Sequence, residues 1–260
     1  MKQDKQGMLP GYFKKENILF LILGTFMVTN AVVAEFIGVK IFSVERLLGF
    51  EPLNLTLWGA ENLSINMSAG ILNWPVVFIM TDILNEYFGR RAVRFITWIA
   101  IIFILYAFGM VWMAISVPPA DIWVNEQLDL NLAFNFVFGQ GLWNIFGSVT
   151  AFAIGQLVDV TVFHRIKLIT GEKLLWLRAT GSTVVSQWID TVVVTFILFY
   201  FNPNFHWPFM QVLAIAMVGY TYKFVIALLT TPFIYLAHFV IDRYLGPARS
   251  QKLVKQAMEF

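Results

Sequence analysis

Apolar residues in this chain run on in long blocks instead of alternating with polar ones. Six stretches, at about 17–43, 70–89, 92–117, 135–163, 181–201 and 209–241, are long enough to cross a hydrocarbon layer of about 30 Å as helix. Short alternating segments of about ten residues, the mark of a membrane β-barrel, are not seen. Helices satisfy their own backbone groups in lipid, so the blocks predict an all-α membrane protein with six transmembrane helices. The last block exceeds a bilayer's need, and Thr230-Thr231-Pro232 is where it would kink. The blocks bound a short N-terminal segment (1–16), a helical domain (17–243) and a C-terminal tail (244–260).

The composition agrees with lipid as the main solvent. Hydrophobic residues make up 58% of the chain and charged residues only 13%, and mean hydropathy is +0.71. There is no cysteine, which excludes disulfides, thiolate metal sites and a cysteine nucleophile.

The cations set the orientation. Fifteen of the 18 lysines and arginines fall before the first block, between the second and third, between the fourth and fifth, or after the sixth. These are the loops on one side of a six-span chain, so both termini are expected in the cytoplasm. Trp74, Trp123, Trp143 and Trp207 fall at the outer ends and Trp176 at an inner one, as an aromatic belt would place them. A cleaved signal peptide is the competing reading of the N-terminus, but its apolar run is long and five more blocks follow. The polar stretch 44–69 between the first two blocks holds three Asn-x-Ser/Thr triplets, which carry no meaning in a bacterial protein.

Charges inside the apolar blocks are the candidate chemistry. Glu35, Asp82, Asp190, Lys40 and Lys223 fall within them, and Glu86 and Asp159 lie nearer the cytoplasmic ends. An ionised group at mid-bilayer costs about 2.5–3.5 kcal/mol on insertion scales, so these side chains should face the bundle interior. They form either a polar pathway or an ion-pair network locking helices together, and both can hold at once. Helical spacing puts Gln140, Asn144, Ser148, Gly155 and Asp159 on one face, with Thr183, Ser186, Gln187 and Asp190 on another. Tyr220 and Lys223 share a third, and Asp82, Asn85 and Glu86 form a short stripe. Asp82 and Asp190 occupy the middle helix of each half, the pattern a 3+3 inverted repeat would give. No His-Glu-x-x-His helix, Gly-x-Ser-x-Gly elbow or phosphate loop is present, so enzyme readings fare poorly and no cofactor or metal is expected.

Three ordered blocks carry a resemblance. Trp74 to Arg90, with Thr81-Asp82-Ile83-Leu84-Asn85-Glu86 at its centre, resembles a signature of the queuosine precursor transporter family, also grouped with vitamin uptake transporters. Asp159 to Gly171 and Trp176 to Thr191 are similar to that family's fourth-helix and fifth-helix motifs. The resemblance implies import of deazaguanine precursors of queuosine, such as preQ0 and preQ1, across the bacterial inner membrane for tRNA modification. It also implies a fold similar to the substrate-binding subunits of energy-coupling-factor transporters. The alternative function is accordingly a binding subunit served by a separate ATPase module. The partners implied are the small-molecule substrate and lipid, with no nucleic acid; whether copies of the chain associate is left open.

A deazaguanine offers a ring N–H and an exocyclic amine side by side, which one carboxylate can accept together. Glu35 or Asp190 is the expected base-reading carboxylate. Asn144, Gln140, Gln187 or Lys223 would serve its carbonyl, and Trp143 or Tyr220 its flat face. Asp82, Asn85, Glu86, Asp159 and Arg178 are assigned to a gate or structural network.

Overall fold

A computed structural model describes residues 14–124, 129–139, 141–171 and 174–259. The helices are α1 (Lys15–Ile37), a single turn α2 (Val44–Leu47), α3 (Trp74–Ser116), α4 (Leu130–Phe138), α5 (Leu142–Thr170), α6 (Leu175–Thr195), α7 (Phe209–Leu245) and α8 (Pro247–Glu259). Four three- or four-residue strands lie between α1 and α3: β1 (Ile41–Ser43), β2 (Leu55–Leu57), β3 (Ala60–Leu63) and β4 (Asn66–Ser68). Among the described residues five helical stretches have the length and hydropathy to cross a membrane: Lys15–Ile37, Trp74–Ser116, Leu130–Thr170, Leu175–Tyr200 and Phe209–Leu245.

The expected second and third blocks are joined in α3. At 43 residues a straight helix would be about 65 Å long, twice the thickness of a bilayer core. It is not straight, because Gly89 leaves helical geometry at φ 78°, ψ 172°. That region is open to glycine and strained for other residues. Ala257 of α8 packs directly on the break: a Cβ on Gly89 would lie 3.1 Å from its carbonyl oxygen.

Two expectations are corrected. The chain is not all-α, since β1 pairs with β4 and β2 with β3 in two antiparallel two-stranded sheets. The first helix ends at Ile37, not at 43, so Lys40 lies beyond it and is exposed. Its chain end is taken up by the sheet: the Lys40 carbonyl accepts from Ala69 N–H at 2.7 Å, and Ser68 donates to the Gly38 carbonyl at 2.7 Å. Pro232 lies inside α7, which is helical on both sides of it. Thr230 turns its hydroxyl onto the Ala227 carbonyl at 2.9 Å beside that proline.

The strands form a cap at one end of the bundle. Glu45 holds it, accepting from the Ile65 N–H at 2.7 Å and the Ser43 hydroxyl at 2.9 Å. These bonds hold the Glu45 carboxyl below its ordinary 4.5, the Ile65 N–H most of all.

The core is assembled mainly on α1 and α3, with Met27, Ala31, Val77, Leu84, Val93 and Ile104 buried together. α5, α6 and α7 pack in sequence beside it. Large apolar side chains such as Phe95, Trp98, Ile102, Phe233 and Phe239 are exposed on the outside, the pattern of a helix bundle whose surroundings are lipid.

Candidate functional site

Beneath the strand cap lies a cavity of about 730 Å³, within the range of small-molecule sites. α1 brings Glu35, α5 Asn144 and Ser148, α6 Asp190, and α7 Lys223; Ser64 and Asn66 of the cap region close the top.

The charged groups are organised in two pairs. Ser148 Oγ lies 2.5 and 2.6 Å from the two oxygens of Glu35, so its single proton is shared across the carboxylate. Lys223 Nζ sits 2.6 Å from Asp190 Oδ2. Both partners of that ion pair stay partly open to the cavity, at 16% and 17% side-chain exposure, whereas Glu35 is 7% exposed. Gly155 permits this geometry: a Cβ there would come within 3.2 Å of Asp190 Cβ. α5 and α6 approach closely at that point because one of them carries no side chain.

The flat groups of the cavity differ from those expected. Trp143 packs edge-on against Phe146, and Tyr220 packs edge-on against Trp188 while donating to the Val184 carbonyl at 3.0 Å. Neither lines the cavity, which is walled instead by Trp74, Phe199 and Trp207. Phe199 and Trp207 are stacked, with centroids 4.7 Å apart and planes 13° apart. Trp74 and Trp207, read from sequence as belt residues, thus belong to the site. Their position at block ends was the available signal, but it does not distinguish a belt from a cavity mouth.

Gln187 lines a smaller recess of about 20 Å³ that shares Trp74 and Lys223 with the main cavity and continues past Thr183. Gln140 lies outside the described residues.

The remaining polar residues form a second, closed group. Glu86 joins α3 to α5 and α6: Arg178 lies 2.8 Å from its Oε1 and Lys167 3.2 Å from its Oε2. Lys167 also donates to the Glu86 carbonyl, and Arg178 to the Gly171 carbonyl, each at 2.7 Å. All three side chains are at most 4% exposed. Lys167 was expected as a loop cation and Arg178 in a gate or structural network; α5 and α6 extend past the expected block ends and carry both into the protein interior. Asp82, Asn85 and Asp159 are buried beside this triad, none more than 1% exposed. Asn85 donates to the Val160 carbonyl at 3.3 Å, and Ser186 donates to Asp159 at 3.1 Å.

The profile of the family described as "Putative vitamin uptake transporter" matches residues 68–237. The chain is 31% identical over 183 residues to a "Probable queuosine precursor transporter" of Bacillus subtilis, covering 70% of this chain and 76% of that one. It is 29% identical over 180 residues to a protein of the same description from Haemophilus influenzae, covering 68% and 71%. It is 26% identical over 185 residues to a "Queuosine precursor transporter" of Escherichia coli, covering 64% and 70%. No solved structure matches it.

Proposed function

Because the chain belongs to the vitamin uptake transporter family, we propose that it imports queuosine precursors, deazaguanines of the preQ0 and preQ1 type, across the cytoplasmic membrane. It does so as a self-sufficient secondary transporter or facilitator of six spans with both termini inside. In this reading the arms of α3 on either side of Gly89 are separate spans, and the strand cap faces outward.

The observation that carries the proposal is the pairing of carboxylates with flat aromatic walls in one cavity. Asp190, steadied by Lys223, or Glu35, steadied by Ser148, can accept the adjacent N–H groups of a guanine-like edge. The Phe199–Trp207 stack and Trp74 offer faces to the ring. Base–aromatic stacking contributes about 1–3 kcal/mol per base. Asn144 at the wall supplies a donor for the carbonyl.

The test is uptake of labelled preQ1 and preQ0 by cells unable to make either, read as queuosine in tRNA. Expression of this chain should restore queuosine, and Asp190→Asn or Glu35→Gln in well-expressed protein should reduce uptake at least tenfold. Wild-type uptake in both variants would overturn the assignment of the cavity. The absence of cysteine makes sidedness directly readable: Ser64→Cys should react with an impermeant thiol reagent from outside and Lys252→Cys should not.

A further inference from the structure

The enclosed group around Asp82 contains more carboxylate than its cations can neutralise. Among the described residues neither oxygen of Asp82 has a hydrogen-bond partner, nor do Asn85 Oδ1, Asp159 Oδ2 and Gln156 Nε2. All four residues are at most 2% exposed. They face one another across α3 and α5: Thr81 lies 3.3 Å from Gln156 and Asn85 3.3 Å from Val160. Asp82 interacts electrostatically with Asp159 and Glu86, and with Arg178. Ser186 of α6 closes the third side.

Charge accounting points to what belongs there. Three carboxylates (Asp82, Glu86, Asp159) share the enclosure with two cations, and both cations, Lys167 and Arg178, lie on Glu86. Further out, Arg90 and Arg94 of α3 face His164 of α5, and His238 of α7 faces Glu86 beside Asp242. Asp242 is engaged by Tyr87 at 2.7 Å and by Ser250 at 2.5 Å. The inner group is therefore left with one negative charge in excess, in a setting where an uncompensated charge is costly. Four buried acceptor oxygens without donors, against the one unpartnered amide donor of Gln156, and a surplus negative charge suit one hard monovalent cation.

The geometry points to Asp82 and Asp159 as a binding site for a monovalent cation, a proton or sodium, distinct from the substrate cavity. The small recess beside the cavity is lined by Gln187 and Thr183 of α6, and Thr183 lies one turn before Ser186, which donates to Asp159. Cation binding here would couple an ion gradient to import; the coupling rests on the transport reading above, whereas the site does not.

The experiment is thermal unfolding of the purified chain at constant ionic strength. Sodium replaces choline in one series; in the other, in choline alone, pH runs from 8.5 to 5.5. Wild type should gain roughly 3–6 °C per tenfold rise in the activity of the ion that binds. A rise with sodium identifies sodium, and a rise confined to the pH series identifies the proton. Asp82→Asn and Asp159→Asn should each lose that response, and Asp121→Asn, exposed and outside the enclosure, should retain it. Asn removes the surplus charge, so the variants should fold. If one does not, the other and the wild-type titration still decide. No response in wild type, or an equal response in Asp82→Asn, would overturn the site. A lost response in the variants together with no deazaguanine uptake by wild type would leave the site standing and remove the substrate assignment.

Discussion

Glu86 holds three helices together, and replacing it by glutamine isolates what its charge contributes. The amide keeps the size of the side chain, but its one oxygen can accept from only one of Arg178 and Lys167, its NH2 turns a donor toward the other, and it no longer offsets two buried cations. Removing one partner of a buried ion pair costs about 3–5 kcal/mol, because the remaining charge is left without compensation. Here Asp82 and Asp159 occupy the same enclosure and recover part of the attraction. The lower end, about 3 kcal/mol, is therefore expected. At about 2–4 °C per kcal/mol for a chain of this size, Glu86→Gln should melt about 6–12 °C below wild type in detergent. Adding Lys167→Met removes the buried cation that has lost its carboxylate and should recover much of the loss, a coupling that a double-mutant cycle measures. Melting of Glu86→Gln within 2 °C of wild type would refute the reasoning. So would a Lys167→Met change that simply adds its own cost.

Two further outcomes follow from the geometry. Gly155→Ala puts a methyl group 3.2 Å from Asp190 Cβ, and overpacking of this kind costs about 1–3 kcal/mol. It should weaken substrate binding more than Gly181→Ala, whose Cβ would meet only the flexible end of Ile166 at 3.3 Å; equal affinities would argue against close α5–α6 approach as the support of the ion pair. Glu45, whose carboxyl is held below 4.5 by Ile65, stabilises the strand cap fully above that ordinary value and loses its contribution as pH falls through its lower folded value. Hydrogen exchange at the Ile65 amide, corrected for intrinsic rate, should show constant protection from pH 7 to about 4.5 and a loss below it. Loss of protection already at pH 6 would exclude Glu45 as the anchor.

Much of this architecture is written in the apolar blocks, because a bilayer demands long uninterrupted helices and leaves few alternatives. The break in α3 falls at Gly89, within a residue or two of where the second block was expected to end, since Gly-Arg-Arg interrupts the apolar run there. The strand cap was not legible: runs as short as Ile41–Ser43 give no period to read, and the partner of that strand lies more than twenty residues away. The lining of the cavity was legible in its charges and not in its rings. A buried carboxylate must have a reason, which singles out Glu35 and Asp190, whereas Trp and Tyr are equally at ease in an interface, a core or a cavity. Trp143 and Tyr220 went to packing, and Trp74 and Trp207 to the cavity wall. Lys167 was misplaced for a related reason. Cations near a block end read as solvated until the helices that extend past it, and the acid that awaits them, are seen.

The bend at Gly89 has a consequence for how the chain comes together. Its cover is Ala257, a residue synthesised long after the bend has left the ribosome. Until α8 arrives, the joint between the two arms of α3 has no roof, and the contact that closes it is among the most distant in sequence. Contacts of this kind form late, since the loop between them must first be organised. α8, made after the other described helices, therefore converts a hinge in a growing polypeptide into a fixed corner of the fold.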